Sequence, residues 1–310
     1  MLSSEHAANR KDTLGSTDVT RLFGFWGSPG DVWLEKTGRA EAKDLAGIPA
    51  VEAGIAFEGP ILDWAERQPE IGDKIKRNEL IRLVDGNLRL SGQLDGVRLH
   101  DGTPVEAKTA GLMGPLSRAW GDAMTDEVPP QYLIQSHVQM ILAKADEAFI
   151  AAFLGGVGFR LYTMERNANL SELIQERAST FWTDYILADT PPPQAPTLDM
   201  ARLMVREPRK TIFLPPGAAM KADELRGIKE QIKTLDAAKH AAEAEVLMAM
   251  GDAEVGILPD GQALTYFAQT RHGIDTKALV ADVPDAKEKW PQASTFRVLR
   301  TVKKWKGESK

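Results

Sequence analysis

Three charged residues with the chemistry of a hydrolytic site lie close together in the stretch SGQLDGVRLHDGTPVEAKT, residues 91–109. Glu106 and Lys108 are two positions apart on a predicted strand, so their side chains point to the same face. Asp95 lies on the preceding strand of a hairpin that turns at Asp101-Gly102, where cross-strand neighbours come within reach. The pattern predicts one sheet face with two carboxylates and an ammonium group.

Two carboxylates packed side by side repel each other unless one is protonated or a cation lies between them. Oxygen ligands of this kind favour Mg²⁺ or Mn²⁺. Such an ion would support phosphodiester hydrolysis, and Lys108 would orient or deprotonate the attacking water. The alternative is a surface salt bridge worth about 0–1 kcal/mol, and the spacing alone leaves both interpretations open.

The surrounding pattern predicts the elements that would position these residues. Apolar spacing indicates a helix from Val51 to Gln68, with Glu58 near its buried side and Pro60 in an early turn. Period-two alternation and two Asp-Gly turns predict three antiparallel strands within 80–109. A helix from Pro130 to Lys144 and two strands around Gly155-Gly156 follow.

The region after these strands changes in character. A helix is predicted over 171–189, and the prolines at 191–193 mark a linker. The stretch from Ala219 to Met250 is strongly helical, with a 3-4-3 apolar spacing that suits a helical arm or a coiled-coil-like seam. A hairpin around Pro259-Asp260-Gly261 and a basic final strand, TFRVLRTVKKWK, complete the chain.

Composition narrows the classes of protein. The chain has 310 residues, 43% hydrophobic and 26% charged, which suits a globular protein. No apolar run is long enough to span a bilayer and no signal-peptide core is present, so we expect a cytoplasmic protein without a membrane partner. The absence of cysteine excludes disulfides, thiolate metal sites and a cysteine nucleophile. A net charge of −6 gives no global basic field, although a local positive channel remains compatible with it.

Several motifs occur in an order typical of one nuclease family. Gly54 to Glu58 forms G-x-x-x-E on a helix, LDG and VEAK follow on strands, and Tyr132 to Gln135 forms Y-x-x-Q on the next helix, before FLGG. In this order the chain resembles the YqaJ-type viral recombinases, the phage lambda exonuclease-like family of the PD-(D/E)XK nuclease superfamily. The similarity extends over roughly residues 10–190.

The resemblance implies a fold and a domain organisation. It implies an α/β restriction-endonuclease-like core, in which a central mixed sheet is flanked by helices. We expect this nuclease domain at residues 1–195. Residues 196–310 would form an α+β C-terminal extension with the long helix, the hairpin and the basic final strand.

The resemblance also implies roles for individual residues. Asp95 and Glu106 would hold the metal together with the backbone carbonyl of Ala107. Glu58 would approach the metal directly or through water. Lys108 would position the attacking water, and Gln135 would orient that lysine or the water.

His137 and Gln139 on the same predicted helix differ in how well they are supported as site residues. The family often has Q-x-Q-x-Q on this helix, whereas the chain has Gln135-Ser136-His137-Val138-Gln139. His137 receives no role, because a lone helical histidine is more often structural. Gln139, one turn beyond Gln135 on the same helix face, is a weaker candidate.

A phosphate site is suggested near the N-terminus. Arg10 and Thr17 are seven residues apart, and this matches an arginine and a serine that hold a 5′-phosphate in the family. Ser16 lies beside Thr17. An arginine together with a hydroxyl group at a helix N-terminus can bind a phosphate group. The alternative is that Thr17 or Asp18 only caps its helix.

Together, these features predict a Mg²⁺-dependent (or Mn²⁺-dependent) DNA exonuclease of phage or prophage recombination, acting in the bacterial cytoplasm. It would degrade duplex DNA from a 5′ end and leave a 3′ single strand. The resemblance implies a ring-shaped homo-oligomer and a single-strand annealing protein as partner. Two alternatives remain: a single-strand-specific nuclease or endonuclease of the same superfamily, and a non-catalytic DNA-binding or assembly protein on the same fold.

Overall fold

The chain divides into two compact units, residues 1–210 and 211–310, in a computed structural model. The structure describes residues 11–41, 47–85, 87–111, 119–208, 210–270, 279, 281–283 and 285–289. No helix within these ranges combines the length and the apolar character needed to cross a bilayer. The functional division at residues 195 and 196 stays a prediction.

A five-stranded mixed sheet forms the centre of the first unit, and its spatial order follows the chain. The strands are β1 (Ile75–Asp85), β2 (Leu88–Arg98), β3 (Pro104–Ala110), β4 (Glu147–Leu154) and β5 (Gly158–Glu165). The first three pair antiparallel, β3 pairs parallel with β4, and β5 returns antiparallel to β4. The predicted three-stranded meander and the two later strands are confirmed.

Helices cover both faces of this sheet. They are α1 (Ser16–Leu22), α2 (Pro29–Lys36), α3 (Pro49–Ala65), α4 (Pro130–Ala143), α5 (Ala168–Phe181) and α6 (Leu198–Leu203). Helix α3 buries Ile61 and Leu62 in a cluster with Val105 and Phe149. Helix α4 connects the two parallel strands and buries Met140 in a second cluster with strand residues of β4 and β5. The predicted fold class, a central mixed sheet flanked by helices, is confirmed.

The expected position of Pro60 was wrong, whereas the alternative in which Asp18 caps its helix agrees with the structure. Helix α3 begins at Pro49, so Pro60 lies in the helix interior rather than in an early turn. Its position on the exposed side lets the helix continue to Ala65 despite the missing donor.

Helix α1 has Gly15 as its N-cap, and the Gly15 amide donates to Asp18 Oδ2 at 2.9 Å. Asp18 therefore caps this helix from its third position.

The second unit contains helix α7 (Pro216–Met250), strands β6 (Val255–Ile257) and β7 (Ala263–Thr265), and the short helix α8 (Ala286–Lys289). The long helix and the hairpin are confirmed, and Gly261 has the positive φ of 85° that the hairpin turn requires. Helix α7 has no buried residue. The predicted basic final strand lies outside the described residues.

Candidate functional site

Strands β2 and β3 separate at the point where the candidate carboxylates lie. Their backbone pairing comprises Val97 with Pro104 and Gly96 with Val105. One position further along each strand are Asp95 and Glu106. The amide of Ala107 donates to the Asp95 Oδ2 atom at 3.0 Å, so the side chain satisfies this backbone donor. This bond fixes the Asp95 carboxylate in the fork between the strands.

Glu106 lies at the centre of a polar cluster on the other side of this fork. Its Oε1 atom accepts a charged hydrogen bond from Lys108 Nζ, and its Oε2 atom accepts from Gln139 Nε2 at 2.5 Å. Glu106 and Gln139 are 7% and 4% exposed. Both oxygens of a buried carboxylate are thereby engaged, which is the condition for keeping such a charge in the core. The cluster holds Glu106 in one orientation.

Glu58 faces the same place from helix α3. It lines a cleft of about 280 Å³ together with Asp95, Glu106, Ala107 and Lys108. The G-x-x-x-E spacing explains this, because Gly54 lies one turn earlier on the same helix face and lines the cleft as well. The structure thus brings the three candidate carboxylates and the candidate lysine to one cleft.

The cleft has an excess of negative charge. Burial raises the pKa of the Asp95 carboxyl well above its usual value, and the Glu106 charge raises it further. Burial and the Glu106 charge also raise the pKa of Glu58. Three carboxylates therefore share one ammonium group. A bound cation would neutralise the remaining negative charge.

The donor set fits a divalent ion that keeps much of its water. Among the described residues, no three Asp, Glu, His or Cys side chains are close enough to form a complete metal site. Mg²⁺ commonly binds through one or two carboxylates and retains several waters. Asp95 and Glu106 would supply these carboxylates, the Ala107 carbonyl a further oxygen, and Glu58 a contact through water. The residues and their charge thus match a Mg²⁺ or Mn²⁺ ion.

Lys108 stays protonated near neutral pH in this arrangement. Burial alone would lower its pKa, but the Glu106 and Asp95 carboxylates outweigh burial and raise it. The Nζ atom also lies 5.4 Å from the centroid of the Tyr132 ring, a favourable distance for an ammonium beside an aromatic face. Trp26 and Trp120 pack on that ring with centroids 5.4 Å away. The aromatic rings restrict where the ammonium can move.

The phosphate-site candidates are only partly described. Ser16 and Thr17 form the first turn of α1, and Gln135 Nε2 donates to Thr17 Oγ1 at 3.3 Å. Gln135 is one turn before Gln139 on α4, so the same helix face contacts both Thr17 and the Glu106 cluster. Arg10 lies outside the described residues.

The two glutamines of helix α4 have different contacts. Gln139 contacts Glu106, whereas the contact found for the Gln135 amide is with Thr17. The four-residue spacing puts both glutamines on one helix face. The position of α4 along β3 therefore determines which of them contacts Glu106. Tyr132 was identified as part of a motif, but its position beside Lys108 was missed.

His137 is a structural residue. Its Nδ1 donates to the Leu133 carbonyl at 2.9 Å, and its Nε2 accepts from the Asn167 amide at 3.2 Å. Burial lowers its pKa, which keeps the ring neutral. The decision to assign it no metal role agrees with these contacts.

Comparison with known proteins agrees with the resemblance inferred from the motifs. Residues 5–146 match the YqaJ-like viral recombinase domain. An uncharacterized protein YqaJ of Bacillus subtilis (strain 168) is 27% identical over 314 residues, covering 96% of this chain and 93% of the relative. That similarity includes most of the second unit.

Solved structures with a related fold are more distant. The alkaline exonuclease LHK-Exo from Laribacter hongkongensis is 14% identical, with a TM-score of 0.46 over 60% of this chain and 94% of that chain. A phage-related exonuclease from Haemophilus somnus is 14% identical, with a TM-score of 0.36 over 61% and 90% of the two chains. The match of residues 5–146 to the YqaJ-like viral recombinase domain confirms the resemblance inferred from the motifs.

Proposed function

We propose that this chain is a deoxyribonuclease that depends on Mg²⁺ or Mn²⁺ and degrades duplex DNA from a 5′ end, leaving a 3′ single strand. One observation supports this most directly: Asp95, Glu106 and Lys108 line one cleft in which carboxylates outnumber the ammonium. A cluster that served only as a salt bridge would have no need of the second and third carboxylates. The match of residues 5–146 to the YqaJ-like viral recombinase domain is consistent with this chemistry.

The residues of the chain would divide the work as follows. Asp95 and Glu106 bind the ion, and Glu58 approaches it directly or through water. A bound ion would polarise the scissile phosphoryl group and lower the pKa of water nearby. Lys108 donates a hydrogen bond to the attacking water, because its raised pKa keeps the ammonium protonated. Gln139 holds the Glu106 carboxylate in place.

The substrate end would be recognised away from this cleft. Arg10, Ser16 and Thr17 are proposed to bind the 5′-phosphate, and the hydrogen bond from Gln135 to Thr17 connects this region to helix α4, which also carries Gln139. We further propose that the protein acts as a ring-shaped homo-oligomer in the bacterial cytoplasm, with a single-strand annealing protein that receives the 3′ strand.

Digestion of end-labelled DNA tests the function and its substrate. The substrates are linear duplex with a 5′-phosphate, the same duplex with a 5′-hydroxyl, a single strand and a closed circle, each with Mg²⁺, Mn²⁺ or EDTA. We expect fastest digestion of the 5′-phosphorylated duplex, no digestion in EDTA and an intact circle. Cleaved circles would indicate an endonuclease, and a preference for the single strand would indicate a single-strand-specific nuclease.

Metal titration separates catalysis from a scaffold role. Calorimetry of the wild type with Mg²⁺ should show binding that the substitution Asp95→Asn removes. Binding that does not depend on Asp95, together with undigested linear duplex, would favour the non-catalytic DNA-binding protein.

A further inference from the structure

Helix α7 has an apolar face that the described part of the chain leaves uncovered. The face comprises the residues that we call the α7 seam: Leu225, Ile228, Ile232, Leu235 and Val246. Their side chains are 36%, 44%, 52%, 67% and 41% exposed. A helix of 35 residues that buries none of them lacks the tertiary packing that usually stabilises helices in water.

The spacing of the α7 seam is that of a coiled coil. The positions 225, 228, 232, 235 and 246 all fall on the two core positions of one seven-residue repeat, and Ala242 occupies another. From Leu225 to Val246 the seam extends about 32 Å along the helix. This length and period suit a second helix of the same repeat rather than a globular surface.

Charges beside the seam are complementary to those of a second copy that packs in parallel. In parallel register, Glu224 on one helix lies opposite Lys229 on the other, and symmetry repeats this attractive pair. Lys239 occupies a core position, and its charge is balanced within its own helix by Glu243, 3.6 Å away. A single lysine at a core position is a known determinant of register and of strand number.

The helix bounds disfavour one antiparallel register, and the parallel arrangement is supported by the Glu224–Lys229 pair. An antiparallel partner that aligns Leu225 with Leu235 would place Val246 beyond the partner helix, which begins at Pro216. It would also place Lys221 opposite Lys239. A parallel partner covers the seam over its whole length.

We propose that the α7 seam is an interaction surface for a second copy of this chain, which joins two copies in a parallel, in-register two-stranded coiled coil. This contact is independent of the cleft and does not rest on the proposed nuclease activity. It assigns an assembly role to the second unit.

The mass of the full-length protein in solution tests the contact, by light scattering after size exclusion. The double variant Ile228→Glu/Ile232→Glu should lose half of the wild-type particle mass, because two like charges enter each seam. The matched control Thr234→Glu, on the outer face of α7, should keep the wild-type mass. An equal mass for wild type and double variant would overturn the proposal.

Three further variants keep the test valid if the double variant folds poorly. Glu224→Lys alone should weaken the association, and Glu224→Lys/Lys229→Glu should restore it, because the swapped charges attract again. The chain has no cysteine, so Lys239→Cys introduces a single thiol. Parallel pairing predicts a disulfide-linked dimer on oxidation. A swap that fails to restore association, or a thiol that gives no linked dimer, would contradict the parallel contact.

Discussion

Asp95 and Glu106, two of the three carboxylates of the cleft, should have opposite effects on the stability of the metal-free protein. Asp95 is a half-buried carboxylate whose ionisation is opposed by desolvation and by the Glu106 charge. The substitution Asp95→Asn removes that charge, and the new amide oxygen can still accept from the Ala107 amide. We therefore expect Asp95→Asn to stabilise the protein in EDTA by about 1–3 kcal/mol, the usual cost of a poorly compensated buried polar group.

Glu106→Gln should do the reverse. Glu106 is the ion-pair partner of Lys108, whose side chain is only 20% exposed, and it accepts from Gln139. Removing one member of a buried pair typically costs about 3–5 kcal/mol. Because Lys108 retains some solvent contact and Asp95 remains nearby, we expect a smaller loss of about 1–3 kcal/mol.

The pH dependence of folding stability tests the same prediction independently. The pKa of Asp95 is raised in the folded state, so its destabilising effect develops as the pH rises above the unfolded-state pKa and is complete above the folded-state pKa. The advantage of Asp95→Asn should therefore vanish in acid and grow as the pH rises through the folded-state pKa.

Urea unfolding of both variants in EDTA and in Mg²⁺ measures these effects. A free Mg²⁺ concentration one hundred times the dissociation constant should stabilise the wild type by about 2.7 kcal/mol, and Asp95→Asn should lose this gain. The reasoning is refuted if Asp95→Asn destabilises the metal-free protein, or if it retains the full stabilisation by Mg²⁺.

Two other substitutions test neighbouring contacts. Gln139→Leu removes the donor to Glu106 and should lower cleavage about 10–100-fold, as loss of a group that orients a metal ligand does, whereas Gln135→Leu should have a smaller effect. Steady-state cleavage rates of the two variants decide this, and equal losses would contradict it. His137→Phe leaves the Asn167 amide without its acceptor, whereas the Leu133 carbonyl keeps its helical backbone partner, and should cost about 1–3 kcal/mol. Because the pKa of His137 is lowered, the wild type should also lose stability as the pH falls below about 6.5, and denaturation midpoints of His137→Phe should lack that component.

Much of this fold could be predicted from the sequence, because local signals agree with the tertiary structure. Period-two alternation and the Asp101-Gly102 turn defined β2 and β3, and their register then placed Asp95 beside Glu106. The G-x-x-x-E spacing likewise predicted that Glu58 would face the site. In these cases the residues are linked by a hairpin or by one helix, so short-range rules suffice.

The remaining features depend on packing between distant segments. The choice between Gln135 and Gln139 as partner of Glu106 depends on how far α4 lies along β3, which no local pattern encodes. The same holds for the position of Tyr132 beside Lys108. The interior position of Pro60 was missed although a helix beginning at Val51 would already have it as about the tenth residue, and its exposed position is what the helix tolerates.

The central claim, that this cleft hydrolyses DNA, is tested most directly by cleavage of a 5′-phosphorylated linear duplex by Lys108→Ala in Mg²⁺. The matched control is Lys76→Ala, which removes an exposed lysine paired with Glu79 on the surface of β1. We predict that Lys108→Ala lowers the rate about 10²–10⁴-fold, as expected for loss of a positioned proton donor, while DNA binding and Mg²⁺ binding persist and Lys76→Ala retains wild-type cleavage. Wild-type cleavage by Lys108→Ala would contradict the account.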